Sequence, residues 1–124
     1  LENAKNDEII RAAMESIGFL VHDIIKQMDL KDVLPDVLMA SGGAARAPLL
    51  QFIADMLMIN VGHISLKDRT AIGVLQLLHK KKTGNYLYVS TECDEIFEPR
   101  MKKVTRAKKL MHWQNALAHI GIQY

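Results

Sequence analysis

Apolar residues recur at steps of three and four from Asp7 to Met28, where Ile10, Ala13, Ile17, Val21, Ile24 and Met28 form one stripe. That spacing predicts a long helix with one face turned to a core. Asn6 reads as its N-cap, and Asp7 and Glu8 sit in the first turn, where negative charge suits the positive end of the helix dipole. Gly18 falls in mid-helix, where it costs up to about 1 kcal/mol against alanine. A close approach by a neighbouring element is the reason to expect it there.

The pattern changes at Pro35. Asp36-Val37-Leu38-Met39-Ala40 is a short apolar run bounded by Pro35 and Gly42, as in a buried parallel strand, although periodicity alone leaves a helix open. Ser41-Gly42-Gly43 makes a sharp turn. Pro48 suits the first position of a helix carrying Leu49, Leu50, Ile53, Met56 and Leu57. A second short strand is expected from Val61 to Ile64. A further helix, capped by Ser65 or Asp68, carries Ile72, Leu75, Leu78 and His79 and ends at Lys80 to Lys82 and Gly84. This strand–helix–strand–helix order implies a right-handed parallel unit. Asn85 to Pro99 is the least legible stretch, with strand propensity only at Tyr86-Leu87-Tyr88-Val89. Arg100 to Ile120 reads as a last helix, with Val104, Ala107, Leu110, Met111, Ala116, Leu117 and Ile120 apolar.

Composition narrows the class without choosing a function. A chain of 124 residues, 49% apolar and 24% charged, makes one globular domain with a real core. The single cysteine, Cys93, excludes an internal disulfide and a paired-cysteine zinc site. No apolar run reaches the roughly 20 residues of a membrane span. The chain opens at Leu1, not methionine, and moves into a helix with no signal-peptide pattern. It therefore reads as cut from something longer, with a cytoplasmic home expected. The net charge of +2 is small. The basic run Arg100, Lys102, Lys103, Arg106, Lys108 and Lys109 spreads around a helix and reads as a solvated face. Nucleic acid is therefore not an expected partner, and no membrane is either.

Candidate chemistry lies at the glycine doublet. Gly42 and Gly43 stand between the carboxyl end of a strand and the start of a helix, where ligands of open α/β sheets collect. Two glycines allow positive φ and close backbone approach, and the helix start offers unpaired N–H groups to phosphate. A bare Gly-Gly pair more often makes only a tight connection. Here small Ala44, Ala45 and Ala47 keep the rim open. The five histidines show no ligand spacing, so no metal site is expected of them. Asp55, within a helix, reads as the anchor of a neighbouring turn, and Trp113 as a helix-packing anchor.

The segment Ser41-Gly42-Gly43-Ala44-Ala45-Arg46-Ala47-Pro48-Leu49 resembles the adenosine motif of the actin-like ATPases. Three more segments resemble the FGGY carbohydrate kinases: Ile10 to Phe19, Gln51-Phe52-Ile53-Ala54-Asp55-Met56-Leu57, and Thr70-Ala71-Ile72-Gly73. The tail Phe97-Glu98-Pro99 with Trp113 is most like the glycerol kinases of that family, and Arg46 with Pro48 is more like its xylulose kinases or the chaperone ATPases. The chain departs from the glycerol-kinase pattern at Ser41, where Asp is usual, and at Ala47 and Pro48, where Asn is usual.

The resemblance implies an α/β fold: part of an actin-like ATPase (ribonuclease H-like) domain, helix-rich, with short parallel strands flanked by helices. It implies that residues 1–124 are the C-terminal, nucleotide-binding portion of an ATP-dependent sugar or polyol kinase, glycerol among the substrates. Gly42, Gly43, Ala44, Arg46 and Ala47 would meet the nucleotide, with ATP and Mg²⁺ as cofactors. The catalytic aspartate of the family lies upstream, so no catalytic residue is assigned and the chain alone is expected to be inactive. The alternatives are another actin-like ATPase of the chaperone type and a non-enzymatic binding module.

Overall fold

One helix organises the chain. The computed structural model describes residues 5–28, 35–65, 68–90 and 92–121; the chain start at Leu1 and the polar stretch at Lys31 and Asp32 lie outside them. Helix α2 (Ala47–Leu57) has the sequence APLLQFIADML, and Leu49, Leu50, Phe52, Ile53, Ala54, Asp55 and Met56 are all buried. A helix apolar on nearly every face must be surrounded. A three-stranded sheet covers one side, and helices α1 (Asn6–Gln27) and α4 (Lys103–His119) cover the other.

The sheet runs in the order β1 (Val37–Ala40), β2 (Asn60–His63), β3 (Glu95–Phe97). β1 and β2 are parallel, with Val37 opposite Asn60 and Ala40 opposite His63, so the β1–α2–β2 unit expected from the sequence is present. β3 is antiparallel to β2, with Val61 opposite Phe97. Val61 and Phe97 join Leu49, Leu50, Ile53 and Ala54 in the main core. Residues 86–89, where strand propensity was highest, are not a strand. They lie along helix α3 (Arg69–Thr83), where Gln76 donates to the Leu87 carbonyl at 3.1 Å and Lys80 to the Tyr86 hydroxyl. Tyr88 is 90% exposed, so this segment buries little that pairing could use. The strand comes later, where Phe97 can reach the core.

Opposite the sheet, Phe52 and Met56 of α2 pack against Phe19 of α1. Gly18 permits this approach: a Cβ there would overlap the Phe52 ring, with Cε1 at 2.8 Å. α4 is clasped to α1 through side chains one turn apart on each helix. Lys109 meets Glu15 at 2.7 Å, the Trp113 ring stacks on Phe19 at 5.2 Å, and the Trp113 indole N–H donates to Asp23 at 2.7 Å. Arg106 donates to the Met56 carbonyl at the end of α2. Two cations of the basic run are therefore structural, and Trp113 is the packing anchor expected of it.

Several sequence expectations need correction. The N-cap of α1 is Lys5, not Asn6, and Glu8 reaches back to accept the Lys5 N–H at 2.9 Å. The stripe Ile10, Ile17, Ile24 and Met28 is exposed, Ile10 by 67%. The face of α1 that packs on α2 and α4 carries Met14, Gly18, Phe19 and Val21. α3 buries none of its residues, and Leu75 and Leu78 are exposed; Asp68 holds the N-cap position but its side chain caps nothing. α4 begins at Lys103 because residues 98–101 are held in a turn by Asp55. That carboxylate, 7% exposed, accepts from the N–H groups of Arg100 (2.6 Å) and Met101 (3.0 Å) and from the Gln51 amide (3.3 Å). Gln51 also donates to the Glu98 carbonyl at 2.7 Å.

At the end of β2, Asp94 closes the connection to β3. Its N–H donates to the His63 carbonyl and its carboxylate accepts the Ser65 N–H. The Ser65 backbone bond first, and the neighbouring His63 as a lesser cause, hold the Asp94 carboxyl below the usual aspartate value.

Asp55→Ala should destabilise the fold by about 1–3 kcal/mol in urea unfolding, because the part-buried N–H groups at Arg100 and Met101 lose a charged acceptor; a change below about 0.5 kcal/mol would refute the anchor. Gly18→Ala should destabilise by about 1–3 kcal/mol through overlap with Phe52. Gly73→Ala, in α3 with nothing within 4 Å of the new methyl, should stabilise by about 0.5–1 kcal/mol; equal signs for the two would contradict the packing. By carboxyl NMR, Asp94 should titrate below an unstructured aspartate. A lowered folded-state value adds stability above the unfolded-state pKa that is lost as pH falls through the folded one, and Asp94→Asn should remove that contribution.

Candidate functional site

The carboxyl ends of β1 and β2 lie side by side, and from them the chain turns into α2 and α3. After Ala40 and Ser41 the backbone reverses at Gly42, whose φ is 110°, a conformation that L side chains rarely adopt. The Ala45 N–H donates to the Gly42 carbonyl at 3.0 Å and closes the turn. The Arg46 N–H donates to the Ala44 carbonyl at 2.8 Å, and the Arg46 guanidinium to the Gly43 carbonyl at 3.3 Å. Arg46 is then the N-cap of α2, and its carbonyl accepts the Leu50 N–H.

The start of α2 is bare. No side chain caps it and no acid stands in its first turn. Ala47 and Leu49 therefore keep N–H groups without an intrahelical partner, while Pro48 has none to offer. A Cβ built on Gly42 or Gly43 would meet nothing within 4 Å. The glycines are therefore not needed for internal packing, and the space above them is open to a ligand. Gly42 is needed for its backbone angle; Gly43 is not.

Above this turn is a cavity of about 880 Å³, within the range of small-molecule and cofactor sites. Gly42, Gly43, Arg46 and Ala47 form one wall, joined by Ala45. Ala44 lies in the same turn and is exposed, but it is not on the cavity wall. The floor is apolar, made by Leu50, Ile64 and Phe97. The second wall follows β2: His63 and Ser65, then Asp68, Arg69 and Thr70 at the start of α3, with Glu95 of β3 beside them. Sequence reasoning missed this second wall. Its signal was the parallel pairing itself, since the loop after β2 must open on the same edge as the loop after β1. The Ile64 N–H extends that pairing by donating to the Ala40 carbonyl at 2.9 Å.

An apolar floor, a glycine rim and two adjacent helix starts can hold a flat apolar group with an attached anion. Among the described residues, no three or more His, Cys, Asp or Glu side chains gather as a metal cluster. Among them also, no helix is long and apolar enough to cross a membrane.

Comparison with known proteins agrees with this architecture. The family model for the FGGY family of carbohydrate kinases, C-terminal domain, matches residues 2–78. The chain is 37% identical over 122 residues to a glycerol kinase of Solidesulfovibrio magneticus, covering 93% of this chain and 24% of that protein. It is 32% identical over 115 residues to a glycerol kinase of Acinetobacter baylyi, covering 88% of this chain and 23% of that protein. It thus spans about a quarter of the length of these curated relatives. A crystal structure of Plasmodium falciparum glycerol kinase with ADP superposes with a TM-score of 0.74, at 24% identity over 98% of this chain and 26% of that one. That likeness gives the fold, part of an actin-like ATPase domain. With the matched residues running from the first helix through both parallel strands and into α3, the chain belongs to the FGGY family of carbohydrate kinases, in its C-terminal domain.

Proposed function

We propose that residues 1–124 are the nucleotide-holding C-terminal portion of an ATP-dependent kinase that transfers the γ-phosphate of ATP to a hydroxyl of a polyol, glycerol being the substrate best supported. The observation that carries this reading is the open glycine turn against an uncapped helix start, at the carboxyl edge of paired parallel strands. Glycerol kinases among the relatives, one of them solved with ADP, support both the nucleotide and the substrate.

In this reading Gly42 and Gly43 present backbone to the nucleotide, Arg46 and Ala47 flank the adenosine, and Ala44, off the cavity wall, makes no contact of its own. Leu50 and Phe97 offer the adenine an apolar floor. The relatives' usual Asn is replaced by Ala47 and Pro48, so recognition depends more on backbone and shape here. Mg²⁺, carried on the nucleotide phosphates, would neutralise their charge during transfer. No residue of this chain is given a catalytic role, and the base for the attacking hydroxyl belongs to the other lobe of the kinase. Family membership sets aside a chaperone-type ATPase. The inward ties of Arg106 and Lys109 weaken a nucleic-acid module built on α4.

Half of the cleft belongs to the missing lobe, so ATP should bind these 124 residues only weakly; micromolar affinity by calorimetry would contradict the division of labour. In an isotope-labelled sample, millimolar ATP should shift the amide signals of residues 41–47. Gly43→Val, which meets no neighbour and strains no backbone angle, should weaken that binding by about tenfold or more, ~1.4 kcal/mol. Unmoved signals in this turn, or a Gly43→Val affinity equal to the parent's, would defeat the proposal. Glycerol phosphorylation by the 124 residues alone should be undetectable.

A further inference from the structure

We infer that the open edge of β1 and the exposed isoleucine face of α1 form one docking corner for a β-strand from the upstream part of the kinase. That strand pairs with β1 and lies beneath α1. The inference rests on family membership and not on the nucleotide reading.

The first ground is the unpartnered face of α1. Ile9, Ile10, Ile17, Leu20, Ile24 and Met28 are all exposed. At about 100° per residue they fall within one sector of the helix, and none of its charged residues falls among them. A charge-free apolar sector running the length of a surface helix marks a face that is covered in the complete protein. Its position follows from what flanks it. Gly18 is set against Phe52 of α2, and Phe19 turns to Trp113 of α4. Met14 and Val21 pack on the core that Leu38 and Ala40 of β1 also join. The exposed sector borders Met14 and Val21 on the side away from Phe19. It therefore overhangs the space beyond β1.

The second ground is the edge of β1. α2 packs over β2 and β3. β1 is thus the margin of the sheet, and among the described residues no strand lies on its other side. The Ala40 carbonyl is turned to β2, where it accepts the Ile64 N–H, so alternation turns the N–H and C=O of Met39 toward the open side. Free edges are ordinarily guarded by charge, proline or a bulge. Val37-Leu38-Met39-Ala40 carries none of these.

Edge and overhang bound the same space from two sides, one with backbone groups and the other with apolar cover. A strand satisfies both, since it offers hydrogen bonds sideways and an apolar face upward. A second copy does not, because a two-fold contact joins like patches and two hollow corners leave each other unfilled. The matching family model is that of a C-terminal domain, and this chain spans about a quarter of its relatives' length. Such a kinase has ample upstream chain to supply the strand.

The test grafts the 124 residues into the glycerol kinase of Solidesulfovibrio magneticus in place of the segment they match. Alkylation by iodoacetamide is read by mass spectrometry at position 17 in Ile17→Cys, and at position 104 in the exposed control Val104→Cys. The graft should slow reaction at position 17 by about tenfold or more against the 124-residue chain, and leave position 104 within about twofold. Hydrogen exchange at Met39 should slow in the same graft. Equal rates at position 17 in the two proteins overturn the inference, as does equal slowing at 17 and 104. Slowing at 17 without slowing at Met39 also overturns it, since the cover is then no strand. Slow alkylation in the 124-residue chain that quickens on dilution would give the face to a second copy and overturn it. A graft that stays insoluble where the unaltered kinase folds counts against it equally. None of these outcomes touches the ATP titration of residues 41–47, so the nucleotide reading stands or falls separately.

Discussion

Nearly every other element here is placed by the burial of α2. Seven of its eleven residues are buried, so it needs cover on several sides at once. The sheet supplies one cover through Val61 and Phe97, α1 supplies another through Phe19, and the residues around Met101, Leu110 and Trp113 complete it. Asp55 is the polar exception within this apolar helix. Its buried carboxylate is tolerated because backbone N–H groups of the segment before α4 satisfy it. That one side chain converts a hydrophobic contact into a specific one, fixing where the chain leaves β3 and where α4 starts.

The same burial positions the candidate site. α2 is held from behind by α1 and α4 and from below by the sheet, so its first turn is rigidly presented at the strand ends. In the turn that precedes it Ala45 packs against the core, but Gly42 and Gly43 contribute no packing of their own. The turn is shaped by the Gly42 backbone angle and by short bonds within residues 42–46. Packing therefore supplies the stability, and the turn is left free to serve a ligand. This separation lets Gly43 be altered as a test of binding without disturbing the core.

How much of this was legible in the sequence depended on what each signal measures. Strand–helix–strand order, the Gly42–Gly43 turn, the close approach at Gly18 and the anchoring role of Asp55 could be read because each depends on local geometry or on burial of a single side chain. The buried face of α1 was misread. Both faces of that helix are apolar, and the regular Ile10–Ile17–Ile24 series drew attention away from Met14, Gly18 and Phe19. Periodicity identifies an apolar face but not the neighbour that covers it. β3 was missed because its three residues, Glu95–Phe97, are too few to show alternation, and the tyrosines before them carry the stronger propensity. The second wall of the cavity could not be seen residue by residue, since His63 and Arg69 line the same space as Arg46 only once the strands are paired in register.

Trp113 is the only tryptophan in the chain. Its ring lies nearly parallel to Phe19, with 12° between the planes, and its indole nitrogen is bonded to Asp23. The tryptophan fluorescence of this protein therefore arises from one spot, the seam between the first and last helices. Its emission colour reports whether that seam is shut, and because Trp113 does not line the cavity at the strand ends, the signal is an optical record of the scaffold alone, separable from occupancy of the cleft.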